Sequence, residues 1–133
     1  MQVIDAAALL QRLSMLAAID ALQEAFRTED PGGTPLRTRI GTAGGQLLLM
    51  PASGTAGVGV KLVTITPANP ERGRAFVNAM YVLFSADLQE PEAVIDGAAL
   101  TALRTAALSG LATRHLARED ARRLVVFGAG VQA

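Results

Sequence analysis

The 133-residue sequence contains no cysteine and only one histidine. Without cysteine there are no disulfide bonds and no thiolate ligands for a metal ion. A single histidine also argues against a zinc centre, because such centres combine several nitrogen or sulfur ligands. We therefore expect no metal site and no dependence of the fold on covalent cross-links.

The sequence also lacks an excess of charge of either sign and a long apolar segment. Twelve basic and twelve acidic side chains cancel, so no overall field favours nucleic acid or an anionic membrane. No uninterrupted apolar run approaches the roughly 20 residues that span a bilayer. The first residues, Met1 to Asp5, do not resemble the start of a signal peptide. We expect a cytoplasmic protein that binds neither nucleic acid nor membrane, with a length suited to one sizeable core.

Two helices are predicted near the N-terminus. Asp5 is a typical N-cap for a short helix over Ala6 to Leu13, and Ser14 can cap a longer helix over Met15 to Arg27. In the longer helix, apolar residues recur every three or four positions and give one apolar face. The segment Glu29 to Gly33, which contains proline and two glycines, is expected to end these helices.

Strands dominate the middle of the chain. Apolar and β-branched residues alternate or cluster between turns that contain glycine or proline, a pattern typical of hairpin-connected strands. A last helix is expected to follow Asp96-Gly97 and to cover Ala98 to Leu116. This order predicts an α/β protein whose first domain is α+β, with a mostly antiparallel sheet. The predicted strands cover Leu36 to Ile40, Gln46 to Met50, Val58 to Thr66, Ala75 to Phe84 and Ala93 to Ile95.

The last ten residues carry a recognisable motif. Leu124 to Phe127 is a short apolar run, which we interpret as a buried strand that leads into Gly128-Ala-Gly-Val-Gln-Ala133. This spacing fits G-x-G-x-x-A, the strand-to-helix turn that receives a dinucleotide pyrophosphate in a Rossmann unit. The full fingerprint also needs a helix, a second strand and an acidic residue about 20 positions further on. We therefore divide the chain into a first domain, residues 1–121, and the beginning of a Rossmann domain, residues 122–133.

An arginine interrupts the apolar pattern of the last predicted helix. At 3.6 residues per turn, Arg104 is surrounded by Leu100, Ala107, Leu108 and Leu111. A guanidinium on an apolar face needs an anion or several acceptors, unless its stem reaches past the edge of the core. Two interpretations stay open: an internal ion pair with an acidic side chain, or an anchor for a carboxylate or phosphate ligand.

Three more cations lie in predicted strands. Lys61 interrupts an apolar strand, with Val60 and Leu62 on the opposite face. Its position favours an edge-strand lysine that opposes aggregation over a ligand-binding lysine. Arg37 and Arg39 share one face of their strand, which fits either a solvated face or an anion site. The four cations together predict an affinity for anions close to a dinucleotide turn.

Two motifs about twenty residues apart are the most specific features of the chain. They are Leu100-Thr-Ala-Leu-Arg-Thr-Ala-Ala107 and Gly128-Ala-Gly-Val-Gln-Ala133. Upstream, Leu49-Met-Pro51, Pro67-Ala-Asn69 and Asp96-Gly97 follow the same order as in one known family. Together these segments resemble the ornithine cyclodeaminase/mu-crystallin family. The resemblance covers essentially the whole chain, as the N-terminal half of that family.

The resemblance implies a homodimeric enzyme with two domains. The first domain would bind substrate and dimerise through its sheet, and a Rossmann domain would bind NAD or NADP. Members move a hydride between the nicotinamide and the α-carbon of a small amino or imino acid. They include ornithine cyclodeaminases, reductases of cyclic ketimines and alanine dehydrogenases.

The resemblance also implies roles for individual residues. Arg39, Lys61 and Arg104 match the cations that hold the substrate carboxylate in the family, and Arg104 would also reach the cofactor. The catalytic aspartate of the family belongs to its C-terminal half, so we expect no catalytic residue among these 133 residues and no turnover from them alone. The pyrophosphate turn would be formed by Gly128, Gly130, Val131 and Gln132.

One position departs from the family pattern. In the segment Gly73 to Val77, Phe76 stands where many members have a hydroxyl group that contacts the cofactor. That cofactor contact is therefore in doubt. Two other interpretations remain: a non-catalytic binding or structural protein, like mu-crystallin in its non-enzymatic roles, and a self-contained dimerisation module.

Overall fold

A computed structural model of the chain describes residues 1–28 and 34–133. The segment 29–33, expected to end the first helices, lies outside the described residues. The three predicted helices and the five predicted strands between Leu36 and Ile95 are all present, with modest shifts at their ends. The elements are β1 (Gln2–Ile4), α1 (Ala6–Arg12), α2 (Met15–Thr28), β2 (Thr38–Thr42), β3 (Gly45–Gly54), β4 (Gly57–Ile65), a 3₁₀ turn (Pro70–Arg72), β5 (Val77–Phe84), β6 (Pro91–Asp96) and α3 (Gly97–Leu116).

The strands form one six-stranded sheet in the order β1-β6-β5-β4-β3-β2. Neighbouring strands are antiparallel from β2 to β6, while β1 runs parallel to β6. The α/β class and the mostly antiparallel first sheet are thus confirmed. Strand β1 was not expected, because three residues are too few to show a period and because its strand conformation depends on pairing with residues 93–95.

The predicted helix starts are confirmed by their capping bonds. The Asp5 carboxylate accepts a hydrogen bond from the Ala8 amide at 2.8 Å at the start of α1. The Ser14 hydroxyl accepts one from the Ala17 amide at 3.2 Å at the start of α2. Asp96 Oδ1 accepts from the first amides of α3 at 2.9 Å. These bonds satisfy N–H groups that would otherwise lack a partner at the N-terminus of each helix.

The core lies between α2 and α3 and extends to the sheet beneath α3. Its buried members are small or branched aliphatic residues, so the two helices approach closely. A Cβ added to Gly110 would lie 2.8 Å from Ile19 Cδ1. At the other end of α3, a Cβ added to Gly97 would lie 2.7 Å from backbone atoms of β5. The core cluster comprises Ala18, Ile19, Leu103, Ala107 and Leu111.

The helices pack against one face of the sheet, and the other face is apolar. Lys61 and Ala79 lie on the face that α3 covers, as shown by a hydrogen bond from Lys61 to α3 and by contacts of Gly97 with Ala79. Because side chains alternate along a strand, Leu62 and Met80 point to the opposite face. Met80 is 48% exposed there. In the described part of the chain, no helix is both long and apolar enough to cross a membrane.

The predicted buried strand over Leu124 to Phe127 is wrong. This segment forms no strand and its side chains are exposed, with Phe127 97% exposed. A buried strand in a parallel sheet needs a partner strand on each side and helices on both faces. The six strands of the described residues form one sheet, and none of them pairs with this segment.

Candidate functional site

Lys61 lies in the interior of the sheet. Strand β4 pairs with β3 on one side and with β5 on the other, and Lys61 faces Met50 and Tyr81 across these pairings. The edge-strand interpretation of Lys61 is therefore wrong. The side chain is half-buried under α3, and its Nζ donates a hydrogen bond to Thr101 Oγ1 at 3.3 Å.

The charges of two arginines act on the Lys61 ammonium group. Burial lowers the pKa of Lys61 below its usual value, and the charges of Arg104 and Arg37 lower it further. Among residues 1–28 and 34–133, the ion pairs within 4 Å join Arg114 to Asp20 and Arg118 to Asp120. The cations near Lys61 thus share no ion pair with an acid of this part of the chain. Like charges held together without an anion are typical of a site for an anionic ligand.

Arg104 is exposed on α3, so the prediction that apolar residues surround it is wrong. The buried stripe of this helix passes through Leu103, Ala107 and Leu111, and Arg104 lies about 100° further round the helix than Leu103. Leu108, an expected neighbour in the core, is itself 38% exposed. No acidic side chain of the described residues forms the internal ion pair that was one interpretation of Arg104. Arg104 is therefore a cation close to Lys61 that forms no ion pair with an acid of residues 1–28 or 34–133.

Arg39 lies in β2 on the face that carries Lys61, and Arg37 lies just before this strand. Arg39 pairs with Leu48, which pairs with Val63. Arg37 immediately precedes β2, whose pairing ends with Thr38 opposite Leu49. Continuing that register by one residue would align Arg37 with Met50, which pairs with Lys61. Both arginines are exposed. Arg37 was not among the carboxylate-binding cations that the family resemblance indicated. Its charge nevertheless lowers the pKa of Lys61.

A cavity of about 560 Å³ connects the two regions predicted from sequence. It lies beside the N-terminus of α3 and is largely apolar. Lys61 and Thr101 contribute to its wall, and so do Val131 and Gln132 of the C-terminal motif. The structure therefore brings part of the predicted cofactor turn next to the predicted carboxylate-binding lysine. Arg37, Arg39, Arg104, Gly128 and Gly130 do not line this cavity.

The glycine motif forms a tight turn with an accessible backbone. Gly128 has a φ of 100°, a conformation that suits glycine. A Cβ added at Gly128 or Gly130 would meet no atom within 4 Å, and the Ala133 amide donates to the Gly130 carbonyl at 3.0 Å. This open backbone fits the close approach of a phosphate. Among the described residues, no helix begins within residues 128–133.

Phe76 lies just before β5 and outside the cavity. Its side chain is 47% exposed, and its carbonyl accepts a hydrogen bond from the Thr66 amide at 3.0 Å. The structure thus provides no hydroxyl at this position for a cofactor. The described residues also contain no cluster of three or more His, Cys, Asp or Glu side chains that could hold a metal ion.

Curated proteins similar to this chain include a reductase of a cyclic imino acid. Δ1-pyrroline-2-carboxylate reductase of Bacillus cereus is 42% identical over 104 residues. The match covers 75% of this chain and 32% of the reductase. The chain thus spans about a third of the length of the curated relatives that it matches.

Solved structures share the fold of this chain. Δ1-pyrroline-2-carboxylate reductase of Thermococcus litoralis, in complex with NADH and L-proline, superposes with a TM-score of 0.84 at 34% identity, covering 99% of this chain and 43% of that one. An archaeal alanine dehydrogenase dimer with bound NAD gives 0.79 at 33% identity, covering 89% and 38%. Both relatives hold a nicotinamide cofactor.

The family model itself spans nearly the whole chain. The model described as the ornithine cyclodeaminase/mu-crystallin family matches residues 2–133. This match confirms the resemblance indicated by the two motifs. The chain therefore belongs to the ornithine cyclodeaminase/mu-crystallin family.

Proposed function

We propose that this chain is the substrate-binding part of an NAD(P)-dependent oxidoreductase or deaminating cyclase that acts on a small amino or imino acid. The observation that carries the proposal is the grouping of Lys61, Arg104 and Arg37 without an acidic partner among the described residues. A carboxylate would supply the missing negative charge. Every substrate of this class, whether amino or imino acid, has a carboxylate next to the reacting carbon.

The cations would fix the substrate by its carboxylate. Lys61 would donate from its ammonium group, while Arg104 would offer a planar pair of N–H donors that matches the two carboxylate oxygens. Arg37 and Arg39 would add charge at the entrance. Holding the carboxylate at two or more points orients the α-carbon and restricts its motion before hydride transfer.

The cofactor would lie on the C-terminal side of the cavity. We propose that residues 122–133 begin a Rossmann domain and that Gly128, Gly130, Val131 and Gln132 line its pyrophosphate turn, with Arg104 within reach of the cofactor. The nicotinamide supplies a site that gives or accepts a hydride. Val131 and Gln132 already share a cavity with Lys61, which supports an arrangement of cofactor next to substrate.

The relatives favour a cyclic imino acid as the substrate class. One similar reductase is named for Δ1-pyrroline-2-carboxylate, and a solved relative holds L-proline with NADH. Alanine dehydrogenase, which also appears among the solved relatives, represents the acyclic alternative. Proline and pyrroline-2-carboxylate carry a carboxylate and a compact apolar ring, and the cavity has both a lysine and an apolar wall.

A homodimer is part of the proposal. The sheet face opposite the helices carries Leu62 and Met80, and an exposed apolar face is typical of an interface. The archaeal alanine dehydrogenase is described as a dimer. A cytoplasmic location stays a prediction.

The proposal is tested by substitution of Arg104. In a polypeptide that also carries the complete cofactor domain, NAD(P)H oxidation is measured with Δ1-pyrroline-2-carboxylate and with pyruvate plus ammonia. Arg104→Ala should lower kcat/KM by a factor that corresponds to about 2–5 kcal/mol, because it removes one side of a charge-assisted contact. Arg114→Ala, on the same helix but paired with Asp20, is the matched control.

The same assay separates the alternative functions. If neither substrate supports NAD(P)H oxidation, a non-catalytic binding or structural role replaces the enzyme. Equal kcat/KM for Arg104→Ala and the wild type would show that Arg104 does not bind the substrate.

We further propose that the 133 residues alone bind a carboxylate without turnover. Sedimentation then tests the module interpretation, since a stable dimer of the 133-residue chain would support self-contained dimerisation.

A further inference from the structure

The hydroxyl group of Thr101 links Lys61 to the backbone of α3. Thr101 Oγ1 donates a hydrogen bond to the Gly97 carbonyl at 2.6 Å, one turn earlier in the helix. The same oxygen accepts a hydrogen bond from Lys61 Nζ at 3.3 Å. Thr101 and Lys61 also line the same cavity. The ammonium group is therefore anchored at the point where α3 begins.

The donors and acceptors of this chain favour a charged Lys61. A threonine hydroxyl has a single proton to donate. In Thr101 this proton is used in the hydrogen bond to the Gly97 carbonyl, which can only accept. The oxygen of Thr101 is left with lone pairs for Lys61. A bond from an ammonium donor to such an oxygen is stronger than the corresponding bond from a neutral amine, and the lone pair of a neutral amine would find no donor in Thr101. Thr101 thus stabilises the protonated form.

Tight packing fixes the position of this link. Gly97 lies against β5 so closely that an added Cβ would be 2.7 Å from the Ala79 carbonyl carbon and from the Met80 nitrogen. Asp96 holds the same end of the helix through its two capping bonds. This packing therefore fixes the distance of the Gly97 carbonyl from the sheet. The Thr101 hydroxyl, which is bonded to that carbonyl, is fixed with it. Lys61 rises from the neighbouring strand to meet it.

Burial and two arginines act against the charge of Lys61. Burial, Arg104 and Arg37 all lower the pKa of Lys61. The Asp96 carboxylate lines the same cavity, and one of its oxygens is engaged by the first amides of α3. The titratable and charged groups that face Lys61 or share its cavity or sheet face are thus Arg37, Arg39, Tyr81, Asp96 and Arg104.

We propose that Thr101 is a positioning residue that holds the Lys61 ammonium group charged and directed at the carboxylate of the ligand. This role rests on the proposed function, in which Lys61 binds the substrate carboxylate. Thr101 itself need not contact the ligand. It acts by opposing the effects of burial and of the two arginines on Lys61.

The titration of Lys61 tests the proposal directly. In the 133-residue chain, the pKa of Lys61 is measured by ¹³C NMR of its ε-carbon, assigned with Lys61→Met. Thr101→Val keeps the shape of the side chain and removes the acceptor, so the pKa of Lys61 should fall by about one unit or more. Thr101→Ser keeps the hydroxyl and should restore the wild-type pKa. If valine disturbs the amide spectrum, Thr101→Ala removes the same acceptor without added bulk.

A second measurement connects the pKa to ligand binding. Binding of L-proline to the same variants is followed by NMR as a function of pH. Since binding requires the charged lysine, the upper pH limit of binding should move down in Thr101→Val and stay in place in Thr101→Ser. An unchanged pKa in Thr101→Val, or an equal fall in Thr101→Ser, would overturn the role of Thr101. A normal titration series without any binding of L-proline would instead contradict the proposed function.

Discussion

Gly97→Ala is the substitution that most directly tests how the fold sets the site. The added methyl group would lie 2.7 Å from the Ala79 carbonyl carbon and from the Met80 nitrogen, and 2.9 Å from Ala79 Cβ. Ordinary contacts between such atoms are about 3.5–4.0 Å. Because two of the three neighbours are backbone atoms of β5, a side-chain rotation cannot relieve the clash. The N-terminus of α3 must therefore move away from the sheet by roughly 1 Å.

The energetic cost follows from two opposing effects. Overpacking of this kind costs about 1–3 kcal/mol. Alanine recovers up to about 1 kcal/mol, since glycine is the poorer helix former. Near the middle of these ranges, the free energy of unfolding falls by about 1–2 kcal/mol, which lowers Tm by roughly 3–10 °C for a chain of this size. Urea unfolding followed by circular dichroism measures the difference.

The same displacement should be visible at Lys61. The Lys61–Thr101 bond is 3.3 Å long, and roughly 1 Å more would exceed hydrogen-bond length. Gly97→Ala should thus lower the pKa of Lys61 in the same direction as Thr101→Val. Gly41→Ala is the control, because its Cβ meets no atom within 4 Å. Gly110→Ala should lower the free energy of unfolding by an intermediate amount, since its Cβ meets the flexible end of the Ile19 side chain at 2.8 Å. Wild-type stability and an unchanged Lys61 pKa in Gly97→Ala would refute the reasoning.

Local signals in the sequence were sufficient for most elements of the fold. The predicted caps Asp5 and Ser14 marked the starts of α1 and α2 because each satisfies an amide in the first turn of its helix. Asp96-Gly97 marked the start of α3, where the structure shows Asp96 as the cap. Alternation and turn residues located the hairpin strands. Strand β1 and the segment 124–127 depend instead on partner strands elsewhere. Strand β1 pairs with β6, whereas the segment 124–127 has no partner among the described strands. The residues of the two segments do not by themselves show which of them finds a partner.

The sequence identified the residues of the candidate site but not their positions relative to one another. Helical spacing placed Arg104 among leucines, yet the core stripe of α3 is narrow and passes beside it. The alignment of Arg37 with Lys61 could have been derived from the lengths of two turns. The turn at residues 43–44 pairs Thr42 with Gly45, and the turn at 55–56 pairs Gly54 with Gly57. Counting back from both turns aligns Arg37 with Met50 and then with Lys61. This alignment needs the turn lengths, which alternation alone does not provide.

Four further substitutions, in three experiments, test the charges and the packing near this site. Thr105 Oγ1 is buried without a hydrogen-bond partner in the described structure, so Thr105→Val should raise the free energy of unfolding by about 1 kcal/mol; a loss of stability in urea unfolding would mean that the hydroxyl has a partner. Lys61→Met should stabilise the fold at neutral pH. The folded pKa of Lys61 lies below its unfolded value of 10.5, so the unfolded chain binds more protons between these two values, and wild-type stability should rise with pH across that window. Lys61→Met should remove this rise, and an equal rise in the variant would show that another group causes it. Arg37→Ala and Arg39→Ala form the last comparison. In the register continued from β2, Arg37 is aligned with Lys61 two strands away, a backbone separation of roughly 10 Å, and its charge lowers the Lys61 pKa. Arg37→Ala should therefore raise that pKa, as measured by NMR titration, and Arg39→Ala should raise it less because Arg39 lies in the next row. A larger rise in Arg39→Ala would place Arg39 rather than Arg37 beside the lysine and would restore the residue that the family resemblance indicated.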